Sequence, residues 1–238
     1  MDNASYAALT RQTGLGQELR VVANNIANVA TTGFKSEGVI FSEYITNLGS
    51  DHNSLSMATA RVRDTVMTQG TLTQTGGAFD LAIEGDGFFL IQTPDGERLT
   101  RAGSFTPNGQ GDLVTPDGHP VLDAGGAPVF VPQGLGPVAI APDGTISTGG
   151  QPVGQLGLVM PTDPAGLTRQ GGVMFEARGG FEPVQDGKML QGFLEASNVN
   201  PTLQIARMIE VQRAYELGQN FLQQEDERIR GVIQAMGR

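Results

Sequence analysis

The sequence predicts an α+β fold, in which a glycine-rich antiparallel β domain is flanked by long N- and C-terminal helices that pair as a coiled coil. Glycine and proline are concentrated in the middle of the chain, where 26 of the 34 glycines and 12 of the 13 prolines fall between Gly70 and Gly192. Both ends instead carry apolar residues at helical spacing. The middle of the chain is therefore expected to form β structure and the two ends are expected to form helices.

The first 35 residues are predicted to form a helical segment that ends near Ala30. Apolar residues recur in it at alternating spacings of four and three, as on one face of a coiled coil. These residues are Leu15, Leu19, Val22, Ile26 and Val29. Gly33 follows as a stop signal, because glycine is favoured just past the end of a helix.

The next two segments are predicted to be an extended connector over residues 36–75 and the β-rich domain over residues 76–192. The connector is rich in Ser, Thr, Asn and Gly and has few apolar residues after Leu48, which is typical of a flexible segment. In the β domain, four dipeptides favour tight turns between short strands, because glycine adopts positive φ without steric strain. They are Asp95-Gly96, Asn108-Gly109, Asp117-Gly118 and Asp143-Gly144.

Residues 193–238 are predicted to form the second helical segment, which starts at Pro201 with Asn200 as its cap. Its stripe has the same spacing as the first helix, with Glu225 as its one charged member, and consists of Met208, Val211, Tyr215, Gly218, Leu222, Glu225, Ile229, Val232 and Met236. A helix of about 35 residues is about 50 Å long, which exceeds what one domain of this size covers. The stripe is compatible with pairing inside one chain and with packing between subunits.

Three asparagines lie close together at the end of the first helix, although asparagine is unfavourable inside helices. Asn25 flanks the apolar seam, and Asn24 and Asn28 point away from it. One interpretation is that their amides bond to neighbouring subunits, since an amide both donates and accepts. The other is that Asn28 caps a fraying final turn.

The composition argues against several classes of function. A net charge of -10 and a pI near 4.6 have the wrong sign for binding nucleic acid or lying on an anionic membrane. No apolar run approaches the ~20 residues of a membrane span. The chain has no cysteine, and His52 and His119 stand alone. We therefore predict no catalytic residue, no metal site and no cofactor. The first residues also lack the pattern of a secretory signal peptide.

Three separated stretches of the chain carry distinctive motifs. The first runs from Val21 to Lys35 and reads VVANNIANVATTGFK. The second runs from Phe79 to Ile91 and reads FDLAIEGDGFFLI. The third combines SNVNP, from Ser197, with MIEVQRAYE, from Met208. Together, and in this order, the three stretches resemble the flagellar basal-body rod and hook family.

The resemblance implies a structural subunit of the flagellar rod, polymerising through its terminal helices into the axle that transmits torque. It implies export by the flagellar type III apparatus, a place in the periplasmic rod of the basal body, and partners that are other rod proteins and copies of the chain itself. The stripes and asparagines above are the expected assembly interface.

Within the family, the short length, the opening from Tyr6 to Gln12 and the tail from Gln223 to Arg228 are most similar to the proximal-rod members. A distal-rod subunit is the alternative. A secreted β-rich module that binds polysaccharide is the alternative from another class. The absence of tryptophan counts against this second alternative, because such a module needs an exposed aromatic platform.

Overall fold

A computed structural model describes residues 3–46, 55–132, 134, 136–184 and 186–236. The chain forms two compact units. The helical unit combines Met1–Val29, Ser36–Met67 and Val199–Arg238, and the β unit combines Ala30–Lys35 and Thr68–Asn198. The α+β class with helices at both ends is confirmed. The unit boundaries differ from the four predicted segments, because residues 30–35 belong to the β unit and residues 36–67 belong with the helices.

The helical unit contains two helices and a hairpin. The helices are α1 (Asn3–Ala27) and α2 (Pro201–Met236), and the hairpin strands are β1 (Glu37–Thr46) and β2 (Leu55–Thr65). The strands pair antiparallel along their whole length, in a segment for which the sequence predicted an extended connector. Asn200 caps α2 as predicted, since its side-chain oxygen accepts from Leu203 N at 3.2 Å.

The described residues of the β unit form sixteen short strands, and every pairing between these strands is antiparallel. The strands are β3 (Leu72–Gln74), β4 (Leu81–Glu84), β5 (Phe88–Thr93), β6 (Gly96–Thr100), β7 (Thr106–Pro107), β8 (Leu113–Val114), β9 (Val121–Leu122), β10 (Val138–Ile140), β11 (Thr145–Thr148), β12 (Gln151–Gln155), β13 (Leu158–Pro161), β14 (Leu167–Arg169), β15 (Met174–Ala177), β16 (Phe181–Pro183), β17 (Lys188–Gln191) and β18 (Phe193–Glu195).

The largest sheet has the order β14-β15-β6-β5-β13-β16, with β9 also paired to β5. A three-stranded sheet has the order β10-β11-β12, and the pairs β17-β4, β18-β3 and β7-β8 complete the unit. The four predicted turn dipeptides lie at the ends of consecutive strands. Between β10 and β11, Gly144 has φ +84° and a Cβ there would lie 2.2 Å from Leu156 O, so only glycine fits this turn.

One apolar core fills the β unit. Its most buried side chains are at most 1% exposed and include Leu81, Ile83, Phe89, Ile91, Leu113, Val121, Ile146 and Leu156. Phe89 meets Phe105 edge to face with ring centroids 5.1 Å apart, an arrangement favoured by the ring quadrupoles. The alternation of short apolar runs with turns thus produces a closed β core.

Candidate assembly site

The two helices of the helical unit lie side by side and run antiparallel. Gln12 Nε2 donates to Tyr215 O at 2.7 Å near one end of the contact. Farther along, Arg207 Nε donates to Glu18 Oε1 at 2.6 Å. The later residue of α1, Glu18, thus contacts the earlier residue of α2, Arg207. The two helices therefore run in opposite directions.

The buried face of α1 is shifted from the predicted seam. Leu15 and Val22 are buried as the spacing predicts, but Leu19 and Ile26 are only half-buried and Val29 is exposed. Besides Gly14, the remaining buried positions of this face are Gln12, Glu18, Val21 and Asn25. Gln12, Glu18 and Asn25 are polar, so a pattern built from apolar residues alone places the seam about one position away from the true face.

The predicted stripe of α2 is the covered face for most of its length. Val211 is 2% exposed, and Met208, Tyr215 and Leu222 are half-buried. Ile229 and Val232 are 37% and 48% exposed. The stripe therefore changes from a covered to an exposed surface between residues 225 and 229.

The reason for this change is the length of α1. Gln12 contacts the backbone of Tyr215, and α1 begins nine residues earlier, at Asn3. At equal rise the start of α1 lies beside about residue 224 of α2. The last ~12 residues of α2, ~18 Å of helix, extend past it. We call residues 226–236 the α2 tail.

The α2 tail carries an apolar stripe on its exposed surface. Ile229, Val232, Ile233 and Met236 follow one another at spacings of three, one and three, and they are 37%, 48%, 65% and 83% exposed. This spacing places them on one helical face. This face continues the stripe around Val211, which α1 covers. The same face of α2 is therefore buried near Val211 and exposed in the α2 tail.

Asn25 forms two hydrogen bonds with the backbone of Glu37 and is 1% exposed. Its Nδ2 donates to Glu37 O at 2.8 Å, and its Oδ1 accepts from Glu37 N at 2.9 Å. The side chain thus takes the place of a neighbouring strand at the start of β1. Both polar groups of the Asn25 amide are thus used within the chain. That this asparagine bonds to a neighbouring subunit stays a prediction.

Asn28 and Asn24 bond to each other at the end of α1. Asn28 Nδ2 donates to Asn24 O at 2.8 Å and to Asn24 Oδ1 at 3.2 Å. These contacts hold the turn in which α1 ends, which is the capping interpretation of Asn28. Asn24 is half-buried.

An ion pair that the sequence did not single out joins the two helices. Glu18 is 7% exposed, and Arg207 contacts both Glu18 and Glu210, at 2.6 and 2.8 Å. Partial burial lowers the pKa of Arg207, but its hydrogen bonds with the two carboxylates outweigh that effect and place the pKa above its ordinary value. Glu18 is charged, so its hydropathy gives no signal that it is buried. Only its ion pair with Arg207 accounts for the burial.

A second apolar surface lies in a groove of about 440 Å³ between α1 and α2. Its lining includes Ala7, Leu15, Leu217 and Phe221. Leu217 and Phe221 are 70% and 42% exposed, so the pair of helices leaves these side chains largely uncovered.

Within the described part of the chain, no group of three or more His, Cys, Asp or Glu side chains is placed to hold a metal ion. Neither described helix is both long and apolar enough to cross a bilayer. The surfaces described above are packing surfaces, made of apolar stripes with flanking ion pairs.

Three family models match the chain. The model for the flagella basal body rod protein matches residues 6–35, which cover most of α1 and the motif that follows it. The model for the flagellar hook protein FlgE/F/G D1 domain matches residues 82–148, and that for the C-terminal part of the flagellar basal body rod FlgEFG protein matches residues 190–235. The matches fall on the three stretches in which the sequence resembles the rod and hook family.

Curated relatives match over nearly the full length. The chain is 43% identical to a flagellar basal-body rod protein FlgF of Caulobacter vibrioides, over 100% of this chain and 99% of the relative. It is 35% identical to FlgF of Rhizobium meliloti over the same shares. It is 30% identical to the flagellar basal-body rod protein FlgG of Bacillus subtilis, over 96% of this chain and 97% of the relative. The predicted family is confirmed, and the chain belongs to the flagellar basal-body rod proteins.

Proposed function

We propose that the chain is a structural subunit of the proximal flagellar rod, which polymerises through its terminal helices into the torque-transmitting axle of the basal body. Its family membership supports a structural role rather than an enzymatic one. Two relatives named FlgF, which is a proximal-rod protein, are 43% and 35% identical to the chain, whereas FlgG of Bacillus subtilis is 30% identical. The higher identity to FlgF supports the proximal over the distal position. Partners are copies of the chain and other rod proteins.

The exposed stripe of the α2 tail is the observation that carries this proposal. Apolar side chains at helical spacing gain little in water unless a partner covers them. Ile229, Val232 and Ile233 are 37%, 48% and 65% exposed, and they continue a stripe that the described part of α1 covers elsewhere. A helix from a neighbouring subunit, packed as in a coiled coil, would cover them as α1 covers Val211.

The proposed interface therefore contains only part of the predicted residues. Ile229 and Val232 belong to it, as does Val29, which is 37% exposed. Leu15, Val22, Asn25 and Val211 are buried within the chain and support assembly indirectly, by holding α1 against its own partners. We also propose that the subunit reaches the periplasm through the flagellar type III apparatus, as its family membership suggests.

The test is complementation of a deletion strain, followed by quantitative mass spectrometry of purified basal bodies. The wild-type chain is expected in basal bodies at a fixed ratio to other rod proteins. A chain carrying Ile229→Glu and Val232→Glu is expected to be exported and to be absent from them. Phe130→Glu is the matched control, because Phe130 is 50% exposed but lies in the β unit.

Three results would contradict the proposal in different ways. Normal incorporation of the double variant would remove the α2 tail from the interface. A wild-type ratio and position that match the distal rod would favour the alternative rod placement. Absence of the wild-type chain from basal bodies that contain the other rod proteins would favour a secreted β-rich binding module.

A further inference from the structure

Residues 33–35 are buried inside the β unit, although the sequence next to them forms a helix. Phe34 is 1% exposed and Lys35 is 0% exposed. Gly33 has φ +69°, and a Cβ there would lie 2.3 Å from Ala102 N, so only glycine fits. This short stretch occupies a shaped slot in the β unit, and a neighbouring subunit has no access to it.

Charged groups hold the stretch in its slot. Lys35 Nζ donates to Glu195 Oε1 at 2.5 Å and to Thr68 O at 2.9 Å. Glu195 is 1% exposed, and its other oxygen accepts from Arg101 Nη1 at 3.4 Å. Burial lowers the pKa of Lys35, and Glu195 opposes that shift. Removal of one charge from such a cluster leaves the others buried without compensation, which is strongly destabilising.

A second arginine covers the stretch from the side of β14. The Arg169 guanidinium lies 4.4 Å from the ring centroid of Phe34 and 4.7 Å from that of Phe175, so two aromatic faces enclose it. Its Nη2 also donates to Lys35 O. Residues 33–35 with Arg101, Arg169 and Glu195 are called the latch below.

The latch joins the chain before β1 to the chain after β18. Gly33 N donates to Glu195 O at 2.7 Å, and Asn198 N donates to Phe34 O at 3.3 Å. The residue numbers rise together across these two bonds, so both segments run in the same direction. Residues before Gly33 lead to α1, and residues after Asn198 lead to α2.

This arrangement determines how tension acts on the contact. When the two ends of the chain are pulled apart, the segment at Gly33 is drawn toward its N-terminal side and the segment at Asn198 toward its C-terminal side. Because the segments run in the same direction, the pull shears the contact. In shear, the hydrogen bonds and the ion pair must break together, whereas in peeling they break one after another.

We propose that the latch is a mechanical clamp, which carries tension between the two chain ends and shields the strands from β3 to β17 from that tension. The antiparallel helices have their free ends on the same side, so they separate by peeling before the latch is loaded. The latch then transfers the pull directly between residues 33–35 and residues 195–198. The strands between them receive no force until it opens.

Single-molecule pulling of the isolated chain tests the clamp. The chain has no cysteine, so a cysteine appended to each end provides the two handles. Glu195→Gln is expected to lower the unfolding force of the β unit strongly and to raise its unfolding rate about 100-fold, the equivalent of ~3 kcal/mol for a broken buried pair. Lys35→Met removes the other partner of the same ion pair, so it is also expected to lower the unfolding force. It replaces Glu195→Gln in the test if that variant folds poorly.

Two controls separate a clamp from a general loss of stability. Leu113→Ala removes a fully buried core side chain away from the latch, and it is expected to lower chemical stability while leaving the unfolding force of end-to-end pulling nearly unchanged. Handles at Asp117→Cys and Gln151→Cys pull within the β unit and bypass the latch, so Glu195→Gln is expected to have little effect there.

The idea fails if Leu113→Ala and Glu195→Gln lower the end-to-end unfolding force equally, because force would then follow overall stability. It also fails if Glu195→Gln acts equally in the two pulling directions. The measurement uses the free chain, so its result is independent of incorporation into the rod.

Discussion

The two units of the chain differ in how far they bury their large apolar side chains. In the β unit, Leu81, Phe89 and Ile146 are completely buried, in a core built from residues of the same unit. In the helical unit, Leu203, Leu217 and Ile233 are 65%, 70% and 65% exposed. The β unit thus buries its large apolar side chains within its own core, and the helical unit leaves several of them exposed. The comparison separates residues that fold the chain from residues that we propose assemble it.

The largest expected effect is in the core of the β unit. Phe89→Ala is expected to lower the free energy of unfolding by about 3–5 kcal/mol, because it removes a fully buried ring and its contact with Phe105. Urea denaturation measures the loss. Phe130→Ala, at a half-exposed ring, is the control and should change the free energy by less than about 1 kcal/mol. Similar losses for both would mean that the core is less closed than its burial indicates.

A smaller effect is expected at the polar contact inside the helical unit. Asn25→Ala should cost about 1–3 kcal/mol, because it leaves the buried backbone of Glu37 without its side-chain partner. Amide hydrogen exchange at residue 37 should accelerate. Asn24→Ala is the matched control, since Asn24 contacts only the end of α1 in the bonds described above. Equal effects of the two changes would show that position in the helix, and not the bridge to β1, sets the cost.

Near-neutral effects on the free chain are expected at the α2 tail. Val232→Glu should change the free energy of unfolding by no more than about 0.5 kcal/mol, because its side chain is already largely in water. Val211→Glu, which is the same change at a 2% exposed position on the same helix, should cost several-fold more, since it buries a charge between the helices. Thermal unfolding followed by circular dichroism compares the two. A large loss for Val232→Glu would mean that the tail is covered within the chain.

The smallest expected effect is at a turn of the β unit. Hydrogen bonds from Thr145 lower the pKa of Asp143 below its ordinary value of 3.8, with the backbone N–H as the main cause and the hydroxyl as the second. A lowered pKa in the folded state favours the charged form, so this stabilisation is complete above pH 3.8 and is lost as the pH falls through the lowered pKa. NMR titration should show the pKa rising in Thr145→Val; no change would assign the shift to the backbone alone.

The sequence predicts the apolar half of the helical unit and misses the polar half. The stripe of α2 follows from its spacing, because Val211 and its neighbours are buried for their hydrophobicity. The true face of α1 includes Gln12, Glu18 and Asn25, whose burial depends on partners more than ten residues away in the chain. Local patterns carry no information on such partners.

The hairpin of β1 and β2 was missed although a signal for it exists. The run from Val39 to Ile45 reads VIFSEYI and is rich in β-branched and aromatic residues, which favour strands. The polar residues after Leu48 favour a connector instead, so the two local signals conflict. The turn dipeptides of the β unit were predicted correctly because their conformation depends on the glycine itself. Which strands pair to form each sheet was beyond any local signal.

The latch also has a consequence for the order in which the chain folds. The contact between Gln12 and Tyr215 joins residues 203 positions apart, and closing so long a loop is entropically unfavourable. Once the β unit has formed, the bond between Phe34 and Asn198 holds the roots of α1 and α2 together. The two helices then find each other as two short segments tethered at neighbouring points. The length of the chain between them no longer adds to the entropic cost of their pairing. We expect the β unit to fold first and thereby to bring the chain segments that lead into the two helices close together.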